Sequence, residues 1–133
     1  MNKPHESFWP DNFGVEPEIT PLTILKEQAS LLGERTKNLV EGSVQTGVGA
    51  ELEFRHSLYL VVPTLSNYRY FLLSVHHNPS IYPLEIRDGT SNRMILSHNF
   101  DEFRENLKEI LSSDRVKRIV STLLAYAMEP SSA

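Results

Sequence analysis

The chain contains no cysteine. That one absence excludes disulfide scaffolds, thiolate zinc sites, cysteine nucleophiles and prenyl anchors. Long apolar runs are missing too. Leu58 to Val62 is five residues and Leu123 to Met128 six, against the ~20 of a membrane-spanning helix. No apolar stretch follows a basic start near residue 1, so no secretory signal is expected. Asn2 does not fit the myristoylation pattern. The one near-match to a glycosylation acceptor, Asn78-Pro79-Ser80, has proline at its centre. These absences predict a cytoplasmic protein with no membrane partner.

Basic excess is also lacking. The 133 residues hold 13 Lys+Arg and 17 Asp+Glu, a net charge of −4. A surface that binds duplex nucleic acid must displace counterions with clustered cations. The only basic cluster, Arg115-Val116-Lys117-Arg118, reads as the solvated face of a helix. Residues 1–53 carry nine acids and four bases, whereas 54–133 carry eight acids and nine bases. The acidic excess therefore sits in the amino-terminal part.

What is present describes an ordinary globular domain. Hydrophobic residues make up 40% and charged residues 23% of the chain, and this length folds without a metal or a disulfide. Residues 1–19 hold three of the eight prolines together with Phe8, Trp9 and Phe13. They read as an irregular arm whose aromatics either pack back onto the domain, the simpler outcome, or dock on a partner. Thr20-Pro21 opens a helix, with threonine as N-cap and proline at N1. Leu22, Leu25, Ala29 and Leu32 mark its apolar stripe, and it ends between residues 32 and 37, near Gly33.

From Leu39 to Ser97 the hydrophobic period changes from 3.6 to 2. Strands are expected at Leu39–Gly47, Glu51–Val62, Tyr68–His77, Tyr82–Arg87 and Arg93–Ser97. Turns fall at Gly47–Gly49, Pro63–Asn67, Asn78-Pro79 and Asp88-Gly89. Connections this short cannot hold crossover helices, so the sheet should be an antiparallel meander. Asn99, with Glu102 three residues on, caps a helix striped by Phe100, Phe103, Leu107, Ile110 and Leu111. Ser112-Ser113-Asp114 breaks and recaps it. A last helix, striped by Val116, Ile119, Val120, Leu123, Leu124 and Ala127, runs to Met128-Glu129-Pro130. The fold class read from this order is α+β: an N-terminal helix, a five-stranded antiparallel meander, and two C-terminal helices packed on one face. Residues 20–130 form a single domain in this reading, and 131–133 a frayed tail.

Catalytic signatures are scarce. Gly47-x-Gly49 is followed by Leu52 and not by a third glycine, and it lies in a hairpin without a helix N-terminus to bind phosphate. Walker A, HExxH, GxSxG and EF-hand patterns are absent, and no cofactor or metal is implied. The remaining constellation is histidine. Pairing Val62 with Tyr68 and counting back without interruption sets His56 opposite Ser74 and diagonal to His76, about 7–8 Å apart at the backbone. The two imidazoles could then share a metal or act as acid and base, with Glu53 or Glu85 as a neighbouring carboxylate. A one-residue slip in register would send them to opposite faces. In this reading His77 points away.

Arg55, Tyr59 and Arg69 would share the face opposite His56, and tyrosine with arginine is a composition enriched where proteins recognise one another. Two function classes follow. The favoured one is a small acidic protein-interaction module, inhibitor- or immunity-like or an adaptor. It would bind another protein through the sheet face or through the acidic N-terminal part, with Arg55, Tyr59, Arg69, Glu41, Glu51 and Glu53 as contacts and the arm residues Phe8, Trp9 and Phe13 as a further element. The alternative is a small enzyme or ligand-binding domain using His56 and His76. Self-association through residues 39–47 or the last helix would make a homodimer.

Overall fold

A computed structural model of the chain describes residues 6–14 and 19–130. The expected fraying of residues 131–133 lies outside the described residues. Helix α1 (Pro21–Arg35) is followed by five strands, β1 (Glu41–Val48), β2 (Phe54–Val62), β3 (Tyr68–His77), β4 (Leu84–Asp88) and β5 (Arg93–Ser97), and then by α2 (Phe100–Leu111) and α3 (Asp114–Ala127). The strands pair antiparallel in the order β1-β2-β3-β4-β5, so the α+β meander is as read from the sequence. No described helix is long and apolar enough to cross a membrane.

Local chemistry accounts for the element ends. The Thr20 hydroxyl accepts from the Thr23 N–H, and Pro21 occupies N1 without an unmet donor. Asn99 accepts from the Glu102 N–H, while the Glu102 carboxylate reaches back to His98 N–H and Asn99 Nδ2. Ser113 caps α3 by accepting from the Val116 N–H. Between α1 and β1 the chain reverses through left-handed Lys37 and Asn38. There the Thr36 hydroxyl donates to Val40 O at 2.7 Å and accepts from Val40 N at 3.2 Å.

All three helices lie over one face of the sheet. Leu58, Leu60, Val62, Leu72, Leu73, Val75, Leu84 and Ile86 are buried there with Leu25, Phe103, Leu107 and Leu123 from the helices. Helix α1 packs chiefly on β1, α2 on β5 and β4, and α3 on α2 and on the 3-10 turn Pro63–Leu65. The α1 face that meets the sheet is Pro21, Leu25, Ala29 and Gly33, a narrow i, i+4 row ending in small residues. Small residues are needed because α1 crosses β1 at close range. A Cβ on Gly42 would lie 2.5 Å from Ala29 Cβ and 2.6 Å from its Cα. Gly42→Ala is therefore expected to force helix and strand apart and cost about 1–3 kcal/mol. Urea unfolding measures this, and unchanged stability would mean that α1 does not sit on β1 as described.

The β2–β3 register departs from the uninterrupted count. Val62 pairs with Tyr68, Val61 with Arg69, Leu60 with Tyr70 and Tyr59 with Phe71, but Leu58 then pairs with Leu73. Leu72 is the extra residue of a β-bulge, and Leu72 and Leu73 are both fully buried. The physical reason is burial. Strict alternation would turn Leu73 and Val75 to the bare face and Ser74 and His76 into the core. Each large apolar side chain gains about 1.5–3 kcal/mol from burial, more than the ~1 kcal/mol of one disturbed ladder bond.

The strand ends also shift. β2 begins at Phe54 rather than Glu51, because residues 49–53 form the connection, closed by Gly49 N–H donating to Glu53 O at 2.8 Å. β4 begins at Leu84 rather than Tyr82. Phe8, Trp9 and Phe13 do not pack back on the domain. They are 94%, 74% and 79% exposed, and the Trp9 and Phe13 rings lie 5.9 Å apart between centres.

Candidate functional site

The bulge divides the histidines between the two faces. His56 now pairs with Val75, and Arg55 with His76. His56 and His76 therefore stand on opposite sides of the sheet, and the shared acid–base face expected from the uninterrupted register does not exist. His77, expected to point away, is the residue that meets His56, with their Nε2 atoms 2.9 Å apart.

That pair is a closed structural chain. The Asn78 carbonyl can only accept, so His77 Nδ1 donates to it at 2.7 Å. His77 Nε2 then accepts from His56 Nε2–H, and His56 Nδ1 accepts from the Thr46 hydroxyl at 2.9 Å. Every contact has one donor and one acceptor when both rings are neutral. Burial, followed by the charges of His77, His76 and Lys26, pushes His56 down to about 4. Phe54 lies against both rings, with centroids 6.3 Å from His56 and 5.2 Å from His77. Among the described residues no group of three or more His, Asp or Glu converges to hold a metal ion.

Among the described residues no element covers the face away from the helices, and the rows of this bare face can be read strand by strand. One row is Gly47, Arg55, His76, Glu85 and Leu96, and the next is Gln45, Ser57, Ser74, Arg87 and Met94. Beyond these come Ser43, Tyr59 and Phe71, then Glu41, Val61 and Arg69. Arg55, Tyr59 and Arg69 thus share the bare face with Glu41, as the alternation pattern implied. Glu51 and Glu53 lie in the β1–β2 connection, at the other end of β1 from Glu41. The acidic candidates are split and do not form one patch.

The side chains on this face are held in place. The Arg69 guanidinium lies 4.4 Å from the centre of the Tyr59 ring, and Phe71 meets the same ring edge-on at 5.7 Å. Arg87 is engaged by Glu85 at 2.6 Å. Arg55 reclines over Gly47, where a Cβ would come within 3.3 Å of its Nη2. Phe71, Met94 and Leu96 are exposed.

A cavity of about 530 Å³ opens in the middle of this face, lined by Gln45, Thr46, Gly47, Arg55, Ser57, Tyr59, Phe71, Ser74, His76 and Arg87. The Ser74 hydroxyl and His76 Nε2 are hydrogen-bonded at 2.9 Å. His76 Nδ1 is buried without a hydrogen-bond partner, and the nearest carboxylate oxygen of Glu53 is 3.6 Å away. Burial, and then the Arg87 charge, holds His76 below its ordinary value although Glu53 and Glu85 oppose them. The Glu53 carboxylate is held low by its own backbone N–H, against some burial, and further by His76 and the Glu51 N–H. Uninterrupted pairing sets Ser74 opposite His56, and the bulge moves it to this face. Ser57, Gln45 and Arg87 follow from strand alternation and pairing, and sequence reasoning passed them over. The chain matches no family model, and neither the curated proteins nor the solved structures include a significant match to it.

Proposed function

We propose that this chain is a protein-interaction module, inhibitor-like or adaptor-like, that recognises another protein through the bare face of its sheet. The observation that carries this reading is the composition of that face. Tyr59, Arg69, Phe71, Arg55, Met94 and Leu96 stand on strands whose opposite sides are locked in the core. Tyrosine, arginine, phenylalanine and methionine are enriched at recognition surfaces, and a rigid sheet presents them at little cost in ordering. The acidic N-terminal part contributes Glu41 at the margin of this face, while Glu27 and Glu34 lie on α1, over the other face.

The test is capture from native extract with three proteins: the parent chain, Tyr59→Ser with Phe71→Ser, and a control, Lys117→Ser with Arg118→Ser on α3. The sheet pair should lose a partner that the parent and control both retain, and added salt should weaken capture where arginine contributes. A parent chain without any partner at low salt counts against the module. So does a partner held equally by all three proteins.

A further inference from the structure

Resting on that reading of the bare face, we propose that its cavity is a carboxylate pocket. With the apolar margin at β5, it reads an extended acidic segment of the partner. Three observations point to an anionic group. Arg55 forms no ion pair with any described residue, whereas Arg87 is already taken by Glu85. Ser57 is only 8% exposed, lines the cavity and makes no side-chain hydrogen bond among the described residues. Gln45 offers a further amide donor from β1 on the other side of Ser57. The Ser57 hydroxyl opens onto the cavity and can donate to a ligand oxygen there. A guanidinium beside hydroxyl and amide donors matches a carboxylate better than it matches a neutral group.

The carboxylates already present do not fill this role. Glu85 is bound to Arg87, and Glu53 sits at the Nδ1 side of His76, held by the Glu51 N–H. Ser74 and His76 are occupied with each other through Nε2. Arg55, Ser57 and Gln45 offer donors to an incoming oxygen, with the Tyr59 hydroxyl beside them.

The rows of the sheet set the spacing of the segment. Arg55 on β2 and Leu96 on β5 belong to one row, three strand steps apart. At ~4.8 Å per step that is about 14 Å, the span of about four residues of extended chain. Leu96 and Met94 are 57% and 67% exposed, so a large apolar side chain four positions from the acid would cover them. The class of partner is therefore an extended acidic peptide segment, with a carboxylate and an apolar residue at i and i+4.

The experiment is an NMR titration of the isotope-labelled full chain with the probe acetyl-Glu-Thr-Ser-Thr-Leu-amide. Comparison ligands are the same peptide with Gln for Glu, the same peptide with Ser for Leu, and acetate. The variants are Arg55→Gln and Leu96→Ser. Both replace exposed side chains, and their unperturbed spectra report retained folding. Saturable shifts are expected at Ser57, Ser74 and Met94, with the Gln peptide at least tenfold weaker. Arg55→Gln should erase the difference between the Glu and Gln peptides, and Leu96→Ser should erase that between the Leu and Ser peptides. Equal binding of the Glu and Gln peptides, shifts confined to the helices, no saturable shift, or acetate binding as tightly as the peptide would each overturn the proposal. If the peptide fails while Tyr59→Ser with Phe71→Ser still releases a partner, the interaction module stands and the carboxylate pocket falls.

Discussion

Phe103→Ala is expected to lower the free energy of unfolding by about 3–5 kcal/mol, the range for removing a buried aromatic from a core that cannot fully collapse. Phe103 is fully buried. It belongs to α2, which packs on β5 and β4 and covers the inner side of the strands bearing Arg87, Met94 and Leu96. Domains of this size are stable by only about 5–15 kcal/mol, so the loss removes a large share of the total. Phe103→Leu keeps most of the volume and should lose less than half as much. Urea unfolding followed by far-ultraviolet circular dichroism distinguishes the two. A loss under about 1 kcal/mol for the alanine variant would contradict the packing of α2 on the sheet.

Stability should fall by about 2 kcal/mol between pH 7 and pH 5, through His56. Folding lowers this histidine from 6.5 to about 4, so in the window between those values the unfolded chain binds the proton and the folded chain does not. The sign follows directly: stability is complete above the unfolded value, declines as pH falls through the window, and loses nothing more to this group below about 4. His76 is shifted in the same direction and adds to the slope. Asp88 works at lower pH: burial would raise it, but hydrogen bonds from Thr90 and Ser91 outweigh that and hold it low. Its contribution is lost only as pH falls below the ordinary aspartate range. The check is urea unfolding at pH 7 and pH 5 for the parent and for His56→Asn, which should show a markedly smaller loss. An equal loss in both would move the proton uptake to another group.

Most of the fold was legible because the signals were local and agreed with one another. Thr20-Pro21, Asn99 with Glu102, and Ser113 each supply a cap at the place where an apolar stripe of helical period begins. β3 and β5 begin and end where alternation and turn residues placed them. β2 was read three residues too long because Glu51, Leu52 and Glu53 continue an alternating pattern. Their backbone instead forms the turn, with Leu52 in the left-handed region.

The candidate site was harder because it depends on one register. The adjacent leucines 72 and 73 held the clue, since an alternating strand can bury only one of two neighbours unless it bulges. Weighing Leu73 and Val75 against Ser74 and His76 would have favoured the slip and separated His56 from His76. The arm shows the opposite limit. Three aromatics predict burial by composition, yet Phe8, Trp9 and Phe13 all stay exposed.

The bare face also changes the meaning of the charge asymmetry. The acidic excess of residues 1–53 by itself would suit a basic partner, whereas the cation beside the cavity without an ion pair among the described residues is Arg55. The two readings make different demands: a basic partner would approach the scattered glutamates, and an acidic segment would enter the cavity on β2 and β3.

Site-specific photocrosslinking tests the central claim most directly. A photoreactive aromatic residue is placed singly at Tyr59, at Met94 or at Arg118, and each protein is illuminated in native extract. Positions 59 and 94 should give a covalent adduct of the same added mass, and position 118 none. An adduct formed only at position 118, or with equal yield at all three, would contradict recognition through the bare face of the sheet.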